Sequence, residues 1–550
     1  MMSEASFVTT LGGQQVLVLR EGSTQNRGRR AQNNNISAAK LIAELVKTSL
    51  GPRGMDKMLV DSLGDATITN DGATMLKEMD VEHPIGKMII EVSKTVDKEA
   101  GDGTTSSVVL TGALLEGAGE LIEKGVHPMV IINGYSSAAK KAQRILEEIA
   151  VGVEPEDTAT LRKIARTSMA SKLISNDSVA LGTMVVDALL QVAEKTTDGT
   201  YRVDVDDLKV EKKAGGALKD TSFTRGVILD KEVAHSGMPK RVEKARIALI
   251  NSPLEIEKTE FDAKINIARP EQIQQFLDEE NRMLKAMVDK VVDSGANVLI
   301  CQKGIDDVAQ HYLSKAGILS VRRVKESDMG KLAKATGARM VTGVDGLARA
   351  DLGHAGLVEE RKLEDDKWVF VVDCKNPKSV SILVRGGSQR VIDEAERSIH
   401  DAVMVVKDVL EDPAIVAGGG AVEEELAYRL SKWSATVQGR EQLAVEKFAE
   451  ALESIPLALA SNAGFDQIDT QVELRESHGA GKTWAGVDVM GKGVRDMFAK
   501  DVVEPVSVKE QVIKSATECA CMILRIDDVI AGGRKGPSPQ GGPGGMGGME

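Results

Sequence analysis

The chain is poor in aromatic residues, with 3 Trp, 4 Tyr and 8 Phe among 550 residues. Its hydrophobic cores must therefore be built mainly from Ala, Val, Ile, Leu and Met, which pack well between helices. A chain of this length is too long for a single hydrophobic core, so several domains are expected. The scarcity of rings thus favours an α-rich, multidomain protein.

Cysteine is scarcer still, and the positions of the cysteines argue against a zinc centre. Only Cys301, Cys374, Cys519 and Cys521 are present. None belongs to a Cys-x-x-Cys pair, and one residue separates the last two inside an apolar stretch, a spacing that does not suit zinc. We expect buried free thiols in a reducing compartment.

The chain also lacks an excess of basic residues and long apolar runs. Its 70 Lys and Arg stand against 83 Asp and Glu, for a net charge of −13, and this balance argues against a nucleic-acid groove. The short cluster of Arg27, Arg29 and Arg30 is typical of a solvated arm or a subunit contact. No run of about 18 apolar residues and no signal-like N-terminus occur. The sequence predicts a soluble, cytoplasmic protein with neither a nucleic-acid nor a membrane partner.

Hydrophobic periodicity divides the chain into helical ends and a β-rich middle. Helices are predicted over 36–50, 85–100, 104–124, 134–150 and 158–195, with a hairpin over 57–69 that turns at Gly64-Asp65. After about residue 200, short β-like runs alternate with helices, as in an α/β domain of roughly 150 residues. From 388 to about 455 the chain is helical again. An α/β domain inserted into a discontinuous helical domain explains this order.

Glycine-rich turns are the most informative local feature. They lie at 50–54, 70–74, 101–105 and 418–421, and most of them lead into a predicted helix. Glycine lets the backbone approach phosphate oxygens, and the start of a helix supplies unpaired N–H donors. Gly101-Asp102-Gly103-Thr104-Thr105 adds a carboxylate for a hard cation and hydroxyls for phosphate. The same residues could simply begin a helix with Thr104 as its N-cap. That structural role is compatible with a nucleotide and magnesium site.

Hydrolysis needs a group that orients or deprotonates water, and the residues alone do not choose one. Asp61, Asp102 and Asp401 are candidates, since each borders a predicted turn or helix near the glycine loops. The segment 479–483 resembles the end of a Walker A loop, but Glu476 stands where the first glycine is required. We interpret this segment as a solvated turn.

Longer motifs extend these local signals along nearly the whole chain. They are LGPRGMDKML at 50–59, TITNDGATML at 67–76, GDGTTS at 101–106, NSPLEIEKTEFDAKI at 251–265, CQKGIDDVAQHYL at 301–313, AGGGAVE at 417–423 and SATECACMILRIDDVI at 515–530. In this order they resemble the motifs of group II chaperonin subunits, the family of the archaeal thermosome and the eukaryotic cytosolic (TCP-1) chaperonin.

The resemblance implies a multidomain α and α/β chaperonin fold. An α-helical equatorial domain comes from 1–152 and 409–531, and a small α/β intermediate domain from 153–221 and 376–408. An α/β apical domain spans 222–375 with a helical lid protrusion at about 252–285, and a disordered Gly/Met-rich tail covers 532–550. The implied partners are non-native client proteins and other subunits of a double ring, homo- or hetero-oligomeric, with eight or nine subunits per ring.

Within the lid segment the apolar residues divide into two groups. One forms a stripe at helical spacing, whose C-terminal half is expected to pack on the apical domain: Ile273, Phe276, Leu277, Leu284, Met287 and Val288. The other group, Leu254, Ile256 and Phe261, lies among charges and fits a mobile tip that contacts clients or neighbouring lids.

The resemblance also assigns ATP or ADP with Mg²⁺ to named residues. Asp102 holds the metal, Asp401 activates the attacking water, Asp61 is a second carboxylate near the γ-phosphate, and Lys172 senses that phosphate. The nucleotide contacts are Leu50, Gly51 and Pro52; Gly103, Thr104, Thr105 and Ser106 around the phosphates; Gly419, Gly420 and Glu504 at the ribose; and Asp488 near the adenine. Ser106 stands where the family usually has threonine and keeps the hydroxyl.

Three functions compete on this basis. A phosphotransferase with the same loops predicts polar specificity residues in the central domain, where this chain has a lid-like segment. A non-catalytic ring subunit predicts the loss of Asp102 or Asp401, and both are present. The sequence therefore predicts an ATP-driven foldase.

Overall fold

The computed structural model of the chain describes residues 7–11, 14–18, 24–61, 64, 66–79, 81–171, 177–197, 199–256, 270–375, 377–491 and 493–531. The predicted sensor Lys172, the predicted tip residue Phe261 and the predicted tail 532–550 lie outside these ranges. Side chains are described from residue 27 onward, with those of 270–273 excepted, so Ile273 is also outside the description.

Helices dominate both ends of the chain. They are α1 (Gly28–Lys47), α2 (Gly72–Glu78), α3 (Pro84–Ala100), α4 (Thr104–Glu123), α5 (Pro128–Ile149), α6 (Thr158–Met169), α7 (Ser178–Val192), α8 (Pro270–Asp293), α9 (Asp307–Lys315), α10 (Glu326–Thr336), α11 (Gln389–Glu411), α12 (Ala421–Ser434), α13 (Glu441–Leu452), α14 (Ser454–Asn462), α15 (Gln467–Gly479) and α16 (Val506–Leu524).

Strands are concentrated in the middle. They are β1 (Phe7–Leu11), β2 (Gln14–Val18), β3 (Thr24–Arg27), β4 (Lys57–Val60), β5 (Ala66–Thr69), β6 (Val151–Gly152), β7 (Glu194–Lys195), β8 (Tyr201–Arg202), β9 (Leu208–Ala214), β10 (Ser222–Thr224), β11 (Val227–Leu229), β12 (Arg241–Ile250), β13 (Val298–Cys301), β14 (Leu319–Val321), β15 (Met340–Val341), β16 (Gly353–Leu363), β17 (Asp366–Val372), β18 (Val380–Gly386), β19 (Ala414–Ala417), β20 (Ala485–Val487), β21 (Val494–Asp496), β22 (Val503–Pro505) and β23 (Asp528–Ala531).

The largest hydrophobic core is shared by helices from both ends of the chain. Helix α4 lies at its centre and packs against α1, α13 and α16. Its residues Leu110, Leu114 and Leu115 are fully buried, as expected of a helix that is apolar on most of its circumference. The chain ends also meet directly, because β3 pairs antiparallel with β23 and Arg27 forms a 3.4 Å ion pair with Asp528.

A second core is built around a mixed sheet in the middle of the chain. The strand order is β11-β17-β16-β12-β13-β14, and β15 also pairs with β12. Strands β12, β13 and β14 are parallel, whereas β16 and β17 are antiparallel. All four residues of β13 are buried, as expected of a parallel strand covered on both faces.

A third core lies between the other two. The three-stranded sheet β10-β18-β9 contacts α7 and α11, and α11 packs on α6 and α7. This small unit thus combines segments that precede the middle sheet in the chain with segments that follow it. The domain boundaries that the sequence predicts at single-residue level remain predictions.

One predicted element is wrong as a single helix. The span 158–195 divides into α6, which ends at Met169, and α7, which begins at Ser178. Asp177 is the N-cap residue of α7, and aspartate favours caps and turns over helix interiors. The predicted hairpin is present as β4 and β5, and α1 begins at Gly28, eight residues before its predicted start at 36.

Leu254 corrects the predicted limits of the mobile tip. Its side chain is fully buried in the middle core, its N–H donates to Gly304 O at 3.0 Å, and its carbonyl accepts from Asp306 N at 2.9 Å. Ile256 is half-buried and packs on the same core. The apolar character of Leu254 therefore reflects packing and does not mark a client-binding surface.

Helix α8 changes character along its length, as the sequence predicts. Leu284 and Val288, near its C-terminal end, are buried, whereas Phe276 and Leu277 are 45% and 47% exposed. The C-terminal half of α8 packs on the α/β unit, whereas the preceding turns of the helix are exposed.

The cysteines are free thiols, as predicted. Cys301, Cys374 and Cys519 are buried and Cys521 is half-buried. Burial raises the pKa of Cys301 to about 11 and that of Cys519 to about 12, so both are protonated near neutral pH. In the part of the chain that the structure describes, no helix is long and apolar enough to cross a membrane.

Candidate functional site

A small cleft brings together three of the four glycine-rich turns. Its walls come from the turn after α1, the turn after β5, the start of α4 and Ser171, the second residue after α6. The lining residues are Ser49, Leu50, Gly51, Asn70, Asp71, Asp102, Gly103, Thr104, Thr105, Ser106 and Ser171. The structure thus places most of the predicted phosphate residues in one cavity.

The start of α4 forms the floor of this cleft. Its N-cap is Gly103 and not Thr104, because the backbone turns at Gly103 with φ of +80°, a left-handed conformation that favours glycine. No side chain of the described residues caps this helix. The first-turn N–H groups of Thr104, Thr105 and Ser106 therefore border the cleft with the positive end of the helix dipole.

A second helix start converges on the same point. Asp71 is the N-cap of α2 and accepts from Thr74 N at 2.8 Å, while Gly72 lies directly against Thr105. Asp71 lines the cleft but was not among the predicted site residues. Its signal in the sequence was an Asp-Gly pair before a helix, the same pattern as Asp102-Gly103.

The fourth glycine turn lies on the far side of the site. Gly420 is the N-cap of α12, and Gly419 O accepts from Val487 N at 2.9 Å. Val487 ends β20, and the predicted base contact Asp488 follows it. On the other flank, Glu504 in β22 pairs with Val416 in β19 and packs against Gly418. Gly419, Gly420, Asp488 and Glu504 are thus neighbours, as the resemblance implies.

Glu504 belongs to a buried ionic group that the sequence did not reveal. Lys509 Nζ lies 2.5 Å from Glu504 and 2.9 Å from Glu423, and the side chains of Lys509 and Glu423 are 9% and 3% exposed. Burial raises the pKa of Glu504, the charges of Glu423 and Asp102 add to this effect, and Lys509 opposes it. Gly103 lies against Val508 and Val512 of α16, the helix that carries Lys509, so this group adjoins the cleft.

Helix α11, which carries Asp401, packs beside the loop that contains Asp102. Gly101, next to Asp102, lies directly against Met404 of α11, one turn from Asp401. Asp401 is 6% exposed. Toward the N-terminal end of the helix, Glu394 accepts from Thr69 at 3.4 Å. The middle of α11 therefore lies beside the Asp102 loop.

The C-terminal part of α11 is held by α16. Asp408 accepts from Ser507 Oγ at 2.9 Å, and burial raises the pKa of Asp408 to about 6. Because Ser507 belongs to the first turn of α16, which begins just after Glu504, the helix that bears Asp401 is tied to the element that bears Glu504.

The remaining predicted residues lie at or beyond the margin of the cleft. Asp61 is exposed directly after β4, and Pro52 is exposed next to Gly51. Neither lines the cavity. The Walker-like segment 479–483 follows the end of α15 as a largely exposed turn, as predicted.

Comparisons with known proteins identify the family of the chain. The TCP-1/cpn60 chaperonin family matches residues 42–534. The chain belongs to this chaperonin family. A thermosome subunit from Pyrococcus abyssi is 56% identical over 537 residues, which cover 98% of both chains. The thermosome subunit alpha of Archaeoglobus fulgidus is 56% identical over 543 residues, with 99% of both chains covered.

A solved structure supports the same assignment at the level of fold. The open-state monomer of a group II chaperonin from Methanococcoides burtonii is 44% identical, with a TM-score of 0.58 over 78% of this chain and 100% of that chain. The predicted group II chaperonin fold is confirmed, and the chain is a subunit of an ATP-dependent group II chaperonin. Membership of this chaperonin family implies nucleotide binding, oligomeric rings and client binding.

Proposed function

We propose that this chaperonin subunit binds ATP in the cleft between the glycine-rich turns and hydrolyses it to drive enclosure of non-native proteins. The observation that carries this proposal is the uncapped start of α4, which borders a cavity that Asp102 also lines, while Gly101 next to Asp102 packs against the helix that bears Asp401. Such a helix start binds anionic phosphate through its free N–H groups and its dipole.

The turns divide the nucleotide between them. Residues 103–106 supply backbone N–H groups and hydroxyls to the phosphates, with Leu50, Gly51 and Pro52 on the adjoining wall. Gly419, Gly420 and Glu504 lie on the ribose side, and Asp488 lies on the base side. This division is supported by the hydrogen bond between Val487 and Gly419 and by the contact between Glu504 and Gly418.

The residues present also fit a magnesium ion. Among the described residues, no cluster of three or more His, Cys, Asp or Glu side chains is arranged to hold a metal alone. Mg²⁺ does not need one, since it binds through one or two carboxylates together with substrate phosphates and water. Asp102 beside the hydroxyls of Thr104 and Thr105 meets that requirement. A bound Mg²⁺ would neutralise charge on the phosphate oxygens.

In the proposed mechanism, hydrolysis depends on α11. Asp401 orients and deprotonates the attacking water, Asp61 contributes a second carboxylate, and Lys172 senses the γ-phosphate. Because α11 belongs to the core between the helical and α/β units, movement of that core brings Asp401 to the phosphate or withdraws it. Hydrolysis and domain closure are then coupled through one helix.

The proposed assembly is the ring that membership of the chaperonin family implies. We propose a cytoplasmic double ring of eight or nine subunits per ring, with a lid built from the segment around 257–285 of each subunit. The exposed Phe276 and Leu277 on α8 support a protrusion that leaves the apical surface.

The magnesium assignment is tested with Asp102→Ala. We expect the affinity for ATP measured with Mg²⁺ to fall at least tenfold, about 1.4 kcal/mol, while the affinity measured with EDTA changes little. Calorimetric titration of the assembled protein measures both. Asp157→Ala is the control, because Asp157 caps α6 away from the cleft. Equal losses with and without Mg²⁺ would contradict the assignment.

The lid is tested by replacing residues 257–273 with a Gly/Ser linker. This replacement keeps Leu254 and Ile256, which belong to the core. We expect ATP hydrolysis within about twofold of the parent, since no proposed site residue is touched. A client protein should lose its ATP-dependent protection from protease. Undiminished protection would show that the segment is not the lid.

A further inference from the structure

A buried histidine lies behind the base side of the proposed nucleotide site. His478, in the last turn of α15, is 1% exposed. Its Nδ1 is 2.6 Å from Glu425 Oε2, and its Nε2 is 2.8 Å from Ala485 O. Glu425 belongs to α12, and Ala485 is the first residue of β20. One side chain therefore connects three elements.

Both ring nitrogens of His478 are within hydrogen-bond distance of a buried oxygen. A carbonyl oxygen only accepts, so Nε2 donates to Ala485 O. Nδ1 shares a hydrogen bond with Glu425 Oε2, and Glu425 also accepts from Arg429 at 2.7 Å. Burial favours the neutral form of Glu425, but the hydrogen bonds with His478 and Arg429 lower the pKa of Glu425. The ring therefore makes two buried hydrogen bonds, one to α12 and one to β20.

Other charged side chains surround the contact between His478 and Glu425. Glu424 of α12 is 1% exposed, and burial raises its pKa to about 7. Arg475 of α15 donates to Glu453, at the junction of α13 and α14, at 2.7 Å, and Arg429 of α12 lies 3.3 Å from Glu148 of α5. Removal of the His478 ring would take this partner from both the buried Glu425 carboxylate and the Ala485 carbonyl.

His478 of α15 contacts two other elements, α12 and β20. Both of them lead to residues that we propose as base and ribose contacts. Helix α12 begins at the Gly418–Gly420 loop, and β20 leads directly to Asp488. Gly486 of β20 lies against Gly419 O, which also accepts from Val487 N at 2.9 Å. Asp488 in turn accepts from Gly491 N at 2.7 Å, which fixes the following loop.

We propose that His478 is a positioning residue for the nucleotide, because its two buried hydrogen bonds, with Glu425 of α12 and with Ala485 of β20, fix the spacing between the Gly418–Gly420 loop and Asp488. The inference rests on the proposed nucleotide site and adds a residue to it. His478 acts on the base and ribose side, away from the phosphates and from Asp401. It therefore sets nucleotide affinity and base selectivity and leaves the chemical step unchanged.

The test compares His478→Phe, which keeps a ring but removes both hydrogen-bonding nitrogens, with His478→Gln, which keeps a side-chain amide. We expect His478→Phe to raise KM for ATP and Kd for a fluorescent ADP analogue about tenfold, with kcat within about twofold. Its preference for ATP over GTP should narrow. His478→Gln should recover part of the affinity.

Tyr135→Phe is the matched control. It removes another buried hydrogen bond of the same helical unit, from Tyr135 Oη to Leu114 O at 2.7 Å, and should leave KM unchanged. An unchanged KM in His478→Phe overturns the proposal, as does a rise of the same size in Tyr135→Phe. If His478→Phe does not assemble, His478→Gln decides by the same KM criterion. A parent protein that neither binds nor hydrolyses ATP would instead contradict the proposed function.

Discussion

Asp401→Ala is expected to bind ATP with nearly the parent affinity and to hydrolyse it about 10²–10⁴-fold more slowly, the usual contribution of a general base. The Asp401 side chain is 6% exposed, and Met404, one turn further along the same helix, packs against Gly101 next to Asp102. The phosphate and ribose contacts come from other elements and stay intact. Steady-state ATPase assays together with nucleotide titration separate the two effects.

A matched substitution on the same helix controls for damage to α11. Asp393 also belongs to α11 and forms a 2.9 Å ion pair with Lys212, with both side chains about one-third exposed. Asp393→Ala should change hydrolysis by less than about twofold, because partly exposed pairs contribute little. If Asp401→Ala hydrolyses ATP at the parent rate, Asp401 does not activate the water. If both variants lose activity equally, the role of Asp401 is structural.

Local signals in the sequence predicted the elements that form the floor of the site. Pro84 at the start of α3 and Gly101 after its end are strong boundary residues, and the predicted span 85–100 differs from Pro84–Ala100 by one residue. The Asp-Gly-Thr pattern predicted the start of α4, although the cap proved to be Gly103. These features depend on neighbouring residues, which a single sequence displays.

Features that depend on tertiary packing cannot be predicted from local sequence patterns. The charged neighbours of Leu254 favour a mobile tip, yet its contacts with Gly304 and Asp306 bury it. His478 lies next to a turn that was correctly interpreted as solvated, and nothing local distinguishes its burial. Lys509 and Glu423 resemble solvated helical charges in the sequence, and only the packing of α16 with α12 brings them together.

Most of the predicted nucleotide contacts nevertheless meet in space, since residues from 50 to 106 line one cleft and Gly419, Asp488 and Glu504 adjoin each other. This agreement arises because glycine turns at helix starts mark positions where backbone must approach a ligand or another chain segment. The sequence could not rank the aspartates in the same way. The aspartates differ in the packing of the helices around them, and a local sequence pattern does not predict that packing. Examples are Asp401, Asp61 and Asp71.

Lys509→Met should destabilise the folded subunit by about 3–5 kcal/mol, the usual cost of breaking a buried ion pair from one side. It leaves Glu423 and Glu504 without their shared cation, and their side chains are 3% and 24% exposed. Scanning calorimetry should record the loss as a lower unfolding temperature. Because Glu504 packs against Gly418 at the proposed ribose position, nucleotide affinity should fall as well.

Lys447→Met provides the comparison, since Lys447 also bridges two carboxylates, Glu120 at 2.8 Å and Glu450 at 2.5 Å. Those partners are 50% and 47% exposed, so water replaces the lost cation and the expected cost is below about 1 kcal/mol. Adding Glu423→Gln to Lys509→Met should recover part of the lost stability, because one buried negative charge is removed. A Lys509→Met protein that melts like Lys447→Met and gains nothing from Glu423→Gln would show that solvent already screens this group. The ribose side of the site would then be held by backbone pairing of β19 with β22 alone.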